Sequence, residues 1–466
     1  MTNGIPTLSP KPNGDGSKTQ GDVRRVLLLT TPHSYRTKAF VDAARQLGIE
    51  AVQAVDMPPE LAEYWNFRLG VDFTAVEQAS QQLAEALAER PVQAILALDD
   101  SGAFLAARTS QLLGLPHNAA TAADAARNKY RMRQLLSAGG VLSPRFRRFF
   151  SPPSQPSPST GSGSTGSGST GSGSTGSGHR PVPGEGVMAS LVEIVESAIG
   201  YPCVVKPENL NGSRGVIRAD NRDELLSAAA RLLQLIGPGR HFLVEEYMPG
   251  VEVALEGILD GGVLQVLALF DKPDPLEGPF FEETIYVTPS RLPDSVQETI
   301  AETTAQAARV LGLEMGPIHA ELRINDGGAW IVEIAGRSIG GLCSRTLRFG
   351  TDASLEELIL RQATGLSLDG LAREGRAGGV MMIPIPEAGI LRGVDGVDKA
   401  KAVTGIEDVQ ITAHMNYPLV PLPEGNAYLG FIFAAGGSPE EVEAALRTAH
   451  AQLRFEILPE IRLTVL

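Results

Sequence analysis

Apolar positions along this chain follow two rhythms in alternation. "VRRVLLLTT" (Val23 to Thr31) is a continuous apolar run and predicts a buried strand. In "RTKAFVDAARQLG" the apolar residues recur at helical spacing up to Gly48. "IEAVQAVD" predicts a second strand, "TAVEQASQQLAEALAERP" a helix closed by Pro91, "VQAILALDD" a third strand, and "GAFLAARTSQLLG" a helix ending at Gly114. Strands alternating with helices predict a small parallel sheet covered by helices. Thr121 is then expected to cap one helix with Asp124 in its first turn, running to Gly139-Gly140.

Beyond this point the pattern becomes strand-rich. A helix is expected from Met188 to Gly200, a strand–loop–strand from Pro202 to Ile217, and a helix started by Asn221. Two strands follow around Pro249-Gly250, then another in "GVLQVLALFDK" and a helix stopped by Gly312. "GPIHAELRI" and "GAWIVEIAGR" read as a strand pair joined by the turn Asn325 to Gly328. A helix around Ser354 to Thr364 precedes a further unit of strands and helices. Antiparallel strands after a parallel segment predict an α/β plus α+β composite. Between Ser159 and Gly178 the unit STGSG repeats four times. Such a segment has nothing to bury and is expected to behave as a flexible coil inserted in a surface loop.

Composition narrows the class. With 466 residues the chain is expected to form several packed units. The formal net charge of −14 argues against a nucleic-acid duplex or an anionic membrane as main partner. No apolar run approaches the length of a membrane span, and the first 22 residues lack the apolar core of a secretory signal. The absence of G-x-G-x-x-G after the first strand removes the dinucleotide fingerprint. Cys203 and Cys343 offer no disulfide framework or metal spacing and read as buried thiols. A cytoplasmic enzyme is the expectation.

Candidate chemistry begins at "YPCVVKPENLNGSRGVIR". A strand delivers Lys206, and a loop with Gly212 and Gly215 follows. Glycine amides can point at an anion, and an ammonium beside them neutralises phosphate oxygens. Lysine-proline before a glycine turn also occurs in ordinary hairpins. Glu321 and Glu333 each sit among apolar neighbours on strands expected to pair, and paired strands lie ~4.8 Å apart. Two carboxylates so placed repel unless a cation lies between them: either Mg²⁺, which prefers oxygen ligands, or an arginine, Arg323 or Arg337. Arg337, in the glycine-bearing "GRSIGG", could bind a carboxylate or a developing oxyanion, or form a surface ion pair. In "LVEEYMPGVEV", Glu245, Glu246 and Glu252 fit either a nucleoside-reading strand edge or a solvated acidic hairpin.

The order of Lys129 in "ARNKYRMRQLL", Lys206 in "CVVKP", then "NGSRGV", "VEEYMPGVEV", "HAELRI" and "IVEIAGRSIGG" resembles the ATP-grasp superfamily of carboxylate–amine ligases. Within it, "GPFFEETIYVTPS" and "PEAGILRGVDG" resemble the bacterial L-amino acid ligases, the dipeptide synthetases. The resemblance implies an ATP-grasp fold in five segments: a polar tail 1–22, a Rossmann-like pre-ATP-grasp domain 23–120, a central lid domain 121–250 holding the insert 151–186, a catalytic lobe 251–365, and a strand-rich C-terminal subdomain 366–466. It implies that Lys129 and Lys206 hold ATP phosphates under the loop Gly212, Ser213, Gly215 and Val216. Glu245, Glu246, Tyr247 and Met248 would form the adenine hinge, chiefly through backbone, and Glu252 would take the ribose. Glu321 and Glu333 would bind Mg²⁺, with Mn²⁺ as the alternative ion. Glu283 and Tyr286 would face the amino-acid pocket with Arg337, Gly340 and Gly341, and Arg337, Lys206 and Glu283 would serve the catalytic step.

Two departures stand out: no histidine follows near Tyr286, and Ala335 occupies a place where the superfamily often has a metal-binding asparagine. The implied partners are a small carboxylate and an amine, in a cytoplasmic enzyme that dimers would suit, with no nucleic acid or membrane. A biotin-carboxylase-like enzyme phosphorylating bicarbonate, or a non-catalytic nucleotide-binding protein, are the alternatives.

Overall fold

In the computed structural model, residues 24–32, 34–151 and 185–459 are described; the tail 1–22 and the STGSG repeat lie outside them. Arg25–Thr30 is buried along its length because parallel strands flank it on both sides. The sheet order is Leu69–Val71, Glu50–Asp56, Arg25–Thr30, Ala94–Ala97. Its alternate residues face opposite layers. Val26 and Leu28 pack with Phe40 of helix Thr37–Gln46, and Leu27 and Leu29 with Leu83 and Leu105 of the helices on the other side. Strand Leu69–Val71 and the short helix Pro59–Tyr64 are not anticipated by the periodicity, being too brief to establish one.

The helix expected from Thr121 to Gly140 is instead two helices, Ala120–Arg127 and Lys129–Ala138. Asn128 divides them: its backbone is extended, and its side chain accepts from the Arg131 amide. Asparagine offers the backbone this alternative to helical pairing. Thr121 lies inside the first helix rather than at its cap, which is Ala119.

Two antiparallel sheets carry the rest. A four-stranded sheet runs Phe146–Phe150, His241–Glu246, Cys203–Pro207, Ile217–Ala219, with helices Glu185–Ala198 and Arg222–Ile236 beside it. An eight-stranded sheet runs Gly328–Ala335, Gly316–Asn325, Val251–Asp260, Val263–Asp271, Ile285–Thr288, Ala377–Ile383, Gly430–Gly436, Ile406–Ile411. One sheet thus spans from residue 251 to residue 436 without a break. A small sheet of Pro418–Leu419, Gly389–Asp395 and Arg454–Leu458 adjoins its far end.

The hairpin reading of "LVEEYMPGVEV" is overturned. His241–Glu246 and Val251–Asp260 belong to different sheets, so Pro249-Gly250 is a crossing point between them. Gly250 has φ +120°, and a Cβ there would lie 2.2 Å from the Ile324 carbonyl oxygen. Glu245 and Glu252 are accordingly not solvated; they are 2% and 9% exposed.

Candidate active site

The two antiparallel sheets, the carboxyl edge of the parallel sheet and the segment 412–428 enclose a cavity of about 1360 Å³. Every residue singled out by the sequence lines it except Gly215.

On one wall, strand Cys203–Pro207 brings in Lys206, whose Nζ lies 2.6 Å from Glu245 Oε2. Glu245 is also held by Arg133, with Nε–Oε1 at 2.9 Å. Burial, with Arg133 and Lys129 nearby, overcomes this carboxylate and brings Lys206 down to about 8. Lys129 opens its helix at the break made by Asn128; its Nζ donates to Leu210 O at 2.7 Å and lies 3.4 Å from Glu333 Oε1. Between the two lysines runs the loop in which Gly212, Ser213 and Gly215 take φ of 61°, 55° and 74°. After strand His241–Glu246, the amides of Glu246 and Tyr247 donate to Arg145 O and Pro202 O, and Glu246 pairs with Arg145.

On the facing wall Glu321 and Glu333 are direct cross-strand partners, with an irregularity in register just after Glu321. Among the described residues neither pairs with an arginine. Arg323 holds Glu252 at 2.7 Å, and Arg337 holds Asp100 at 2.6 and 2.9 Å. The cation beside Glu321 is Lys272, whose Nζ lies 3.0 Å from Glu321, 2.8 Å from Glu252 and 2.7 Å from Glu283. These three carboxylates offer oxygens within 4.8 Å of one another. Each of the facing glutamates therefore meets a lysine on one oxygen, which leaves lone pairs free for a hard cation. The donor set fits Mg²⁺, and Ala335 adds no ligand to it.

Deeper in, burial pushes Glu283 up to about 7, with Lys272 opposing and Glu321 adding to the rise; Tyr286 Oη donates to Glu283 Oε1 at 2.7 Å. A histidine from another strand approaches the same carboxylate as Tyr286. His319 Nε2 and Tyr286 Oη lie 3.5 and 3.4 Å from the same oxygen, Glu321 Oε1. His319 Nδ1 is 3.3 Å from Glu256, which is fully buried and accepts from the Ile339 amide. Burial opposes charge on His319, but the two glutamates hold it at about 9. The loop after Glu333 is braced by the parallel sheet: Arg36 donates to Leu98 O and Ser338 Oγ, and the Gly341 amide donates to Tyr35 Oη. Both cysteines are buried free thiols pushed upward by burial, Cys203 to about 12.

Lys272, His319, Glu256, Asp100 and Arg133 escape the sequence reading. Lys272 ends an apolar strand, "LALFDK", as Lys206 does, and His319 shares a face with Glu321 at strand period two; these signals were present. The positions of Asp100 and Arg133 depend on packing between remote elements.

Residues 199–346 match the ATP-grasp domain family, and residues 381–458 match L-amino acid ligase C-terminal domain 2. Among solved structures, the L-amino acid ligase from Bacillus licheniformis is 24% identical, covers 94% of this chain and 100% of its own, and superposes with a TM-score of 0.71. Carboxyaminoimidazole ribonucleotide synthase from Aspergillus clavatus, complexed with ATP, is 15% identical over 92% of this chain and 98% of its own, TM-score 0.66. The biotin carboxylase domain of 2-oxoglutarate carboxylase from Hydrogenobacter thermophilus, in complex with MgADP and bicarbonate, is 15% identical over 92% and 90%, TM-score 0.60. A curated relative, the uncharacterized protein y4rH of Sinorhizobium fredii, is 25% identical over 60% of this chain; the match spans 58% of that protein. Among the described residues no helix is long and apolar enough to cross a membrane. Residues 199–346 thus form an ATP-grasp domain and residues 381–458 an L-amino acid ligase C-terminal domain 2, on a fold shared with the L-amino acid ligase structure.

Proposed function

We propose that this enzyme activates an amino acid as its acyl phosphate and joins it to an amine, releasing ADP and phosphate. The observation that carries this reading is that Lys129, Lys206, Glu321 and Glu333 line one cavity together with a glycine-bearing loop, Lys129 lying 3.4 Å from Glu333. A carboxylate is a poor electrophile, because amine attack would expel oxide. Phosphoryl transfer from ATP turns that oxygen into a leaving group. Lys129 and Lys206 hold the phosphates, the adenine meets the hinge at Met248, and Glu252 borders the ribose. Glu321 and Glu333 would hold Mg²⁺, which supplies neutralisation of charge on the transferring phosphoryl group. The amine then attacks the acyl carbon while the Arg337 guanidinium steadies the oxyanion. Glu283, Tyr286 and His319 form a polar group at the amino-acid end, and the Gly340-Gly341 stretch leaves room for substrate beside them. The resemblance further supports a cytoplasmic homodimer.

The test is an ADP-release screen over pairs of amino acids and amines, with a bicarbonate arm and product masses. Amide products with ADP are expected. Glu333→Gln should lower ADP release by about 10²-fold or more, as loss of a major electrostatic contact in a closed site does. Turnover that requires bicarbonate and gives no amide, or ATP binding without turnover, would overturn the proposal.

A further inference from the structure

The glycine-bearing loop is fastened to a distant part of the chain. The Gly215 amide donates to Pro423 O at 2.8 Å, and Arg214 Nε donates to Glu424 O at 2.8 Å. A Cβ on Gly212 would lie 3.3 Å from Asn426 Cβ, so the two segments are in contact there too. Behind the loop, Arg231 on helix Arg222–Ile236 holds the Glu424 carboxylate at two points, 2.6 and 2.9 Å. The same segment, from Val420 to Tyr428, also lines the cavity. One stretch of the C-terminal domain is therefore both a wall of the reaction chamber and the fastening of its cover.

We propose that Val420–Asn426 is a clasp that holds the glycine loop shut while the acyl phosphate exists, with Arg231 and Glu424 as positioning residues that decide whether amine or water consumes it. The proposal rests on the ligase reading. In the productive step the amine nitrogen bonds to the acyl carbon, the carbon–oxygen bond to phosphate breaks, phosphate leaves and the nitrogen loses a proton. In the wasteful step water oxygen makes that bond, phosphate leaves and the carboxylate is regenerated. Both consume one ATP, and only the first makes amide. Exclusion of water is what a closed cover contributes. The fastening suits repeated opening: Arg231 and Glu424 are 44% and 40% exposed at the side chain, and exposed ion pairs are weak.

The test measures ADP released per amide formed in the wild type, Glu424→Arg, Arg231→Glu and the double exchange. A ratio near one is expected for the wild type. Each single variant should raise it roughly two- to fivefold, the range of an exposed ion pair, and the double exchange should bring it back. The double exchange also lacks the cation of Arg231 over the Phe280 ring, so recovery would report the charge pair alone. Thermal unfolding identifies any variant that fails to fold, and Glu424→Gln, which loses charge without repulsion, then takes its place with a smaller rise expected. An unchanged ratio in the single variants, or a rise that persists in the double exchange, overturns the clasp. A wild type that makes no amide with any pair overturns the ligase reading before any variant is compared.

Discussion

At the scale of single residues, Lys206 and Lys272 are two buried cations in opposite surroundings. Lys206 lies at about 8, well under the usual lysine value, because burial penalises its ammonium more than Glu245 supports it. A phosphate grip needs that ammonium. We expect kcat/KM for MgATP to fall as pH rises through about 8, and this limb to vanish in Lys206→Arg, whose guanidinium keeps its proton. A limb unchanged in Lys206→Arg would assign it to another group. Lys272 has the opposite part, one ammonium neutralising three acids. Replacing it with Met should cost about 3–5 kcal/mol, as breaking a buried pair does. The deficit should shrink as pH falls and the stranded carboxylates take up protons, which unfolding by urea at pH 5 and pH 8 would show. Lys206 was legible because one strand and its loop contain the whole signal. Lys272 carries the same strand-end signal, but its meaning comes from acids on three other segments that only the folded chain brings together.

At the scale of elements, strands and helices with a sustained apolar period were legible, whereas the helix Pro59–Tyr64 and the strand Phe146–Phe150 were not. The misreadings arose where one polar or small residue redirects the backbone. Asn128 splits a helix whose apolar spacing runs on through it, and the break makes Lys129 the first residue of the second helix. At Gly250 two apolar strands separated by a turn signal read as a hairpin, yet the chain crosses to another sheet. Local pattern cannot reveal this, since it says which residues form strands and not which strands pair. Gly250→Ala tests the crossing. With φ at +120° and the Ile324 carbonyl 2.2 Å from the new Cβ, the variant should lose at least about 2 kcal/mol and show a lowered Tm. A wild-type Tm would mean that the crossing is more pliant than its geometry implies.

At the scale of the whole molecule, the N-terminal unit meets the cavity through Tyr35, Arg36 and one charged pair. Asp100 meets the Arg337 guanidinium on two oxygens and receives an amide hydrogen from Asn211 of the loop. Burial alone would raise Asp100, but Arg337 outweighs it and holds the acid at about 2, below its ordinary 3.8. The pair's contribution is therefore complete above the ordinary value and is lost as pH falls through about 2. We expect Asp100→Asn to be less stable than the wild type at neutral pH, with the gap closing in acid denaturation below pH 3.8. A gap that persists at the lowest pH would place the effect elsewhere. The sequence could say that a parallel unit precedes strand-rich units. It could not say that an aspartate of the first would meet an arginine 237 residues on, because nothing in the sequence around either residue points to the other.

The unbroken eight-stranded sheet has a consequence for how the enzyme is made. Strand Gly430–Gly436 sits between Ala377–Ile383 and Ile406–Ile411, while Glu321 and Glu333 lie on the two strands at the opposite edge. A ribosome therefore delivers Glu321 and Glu333 long before the strand that finishes their sheet, and the growing polypeptide carries an open hydrogen-bonding edge at Ala377–Ile383 until that strand emerges. Stalled or prematurely terminated products would expose that edge to neighbouring chains, so the folding hazard of this enzyme is concentrated late in its own synthesis.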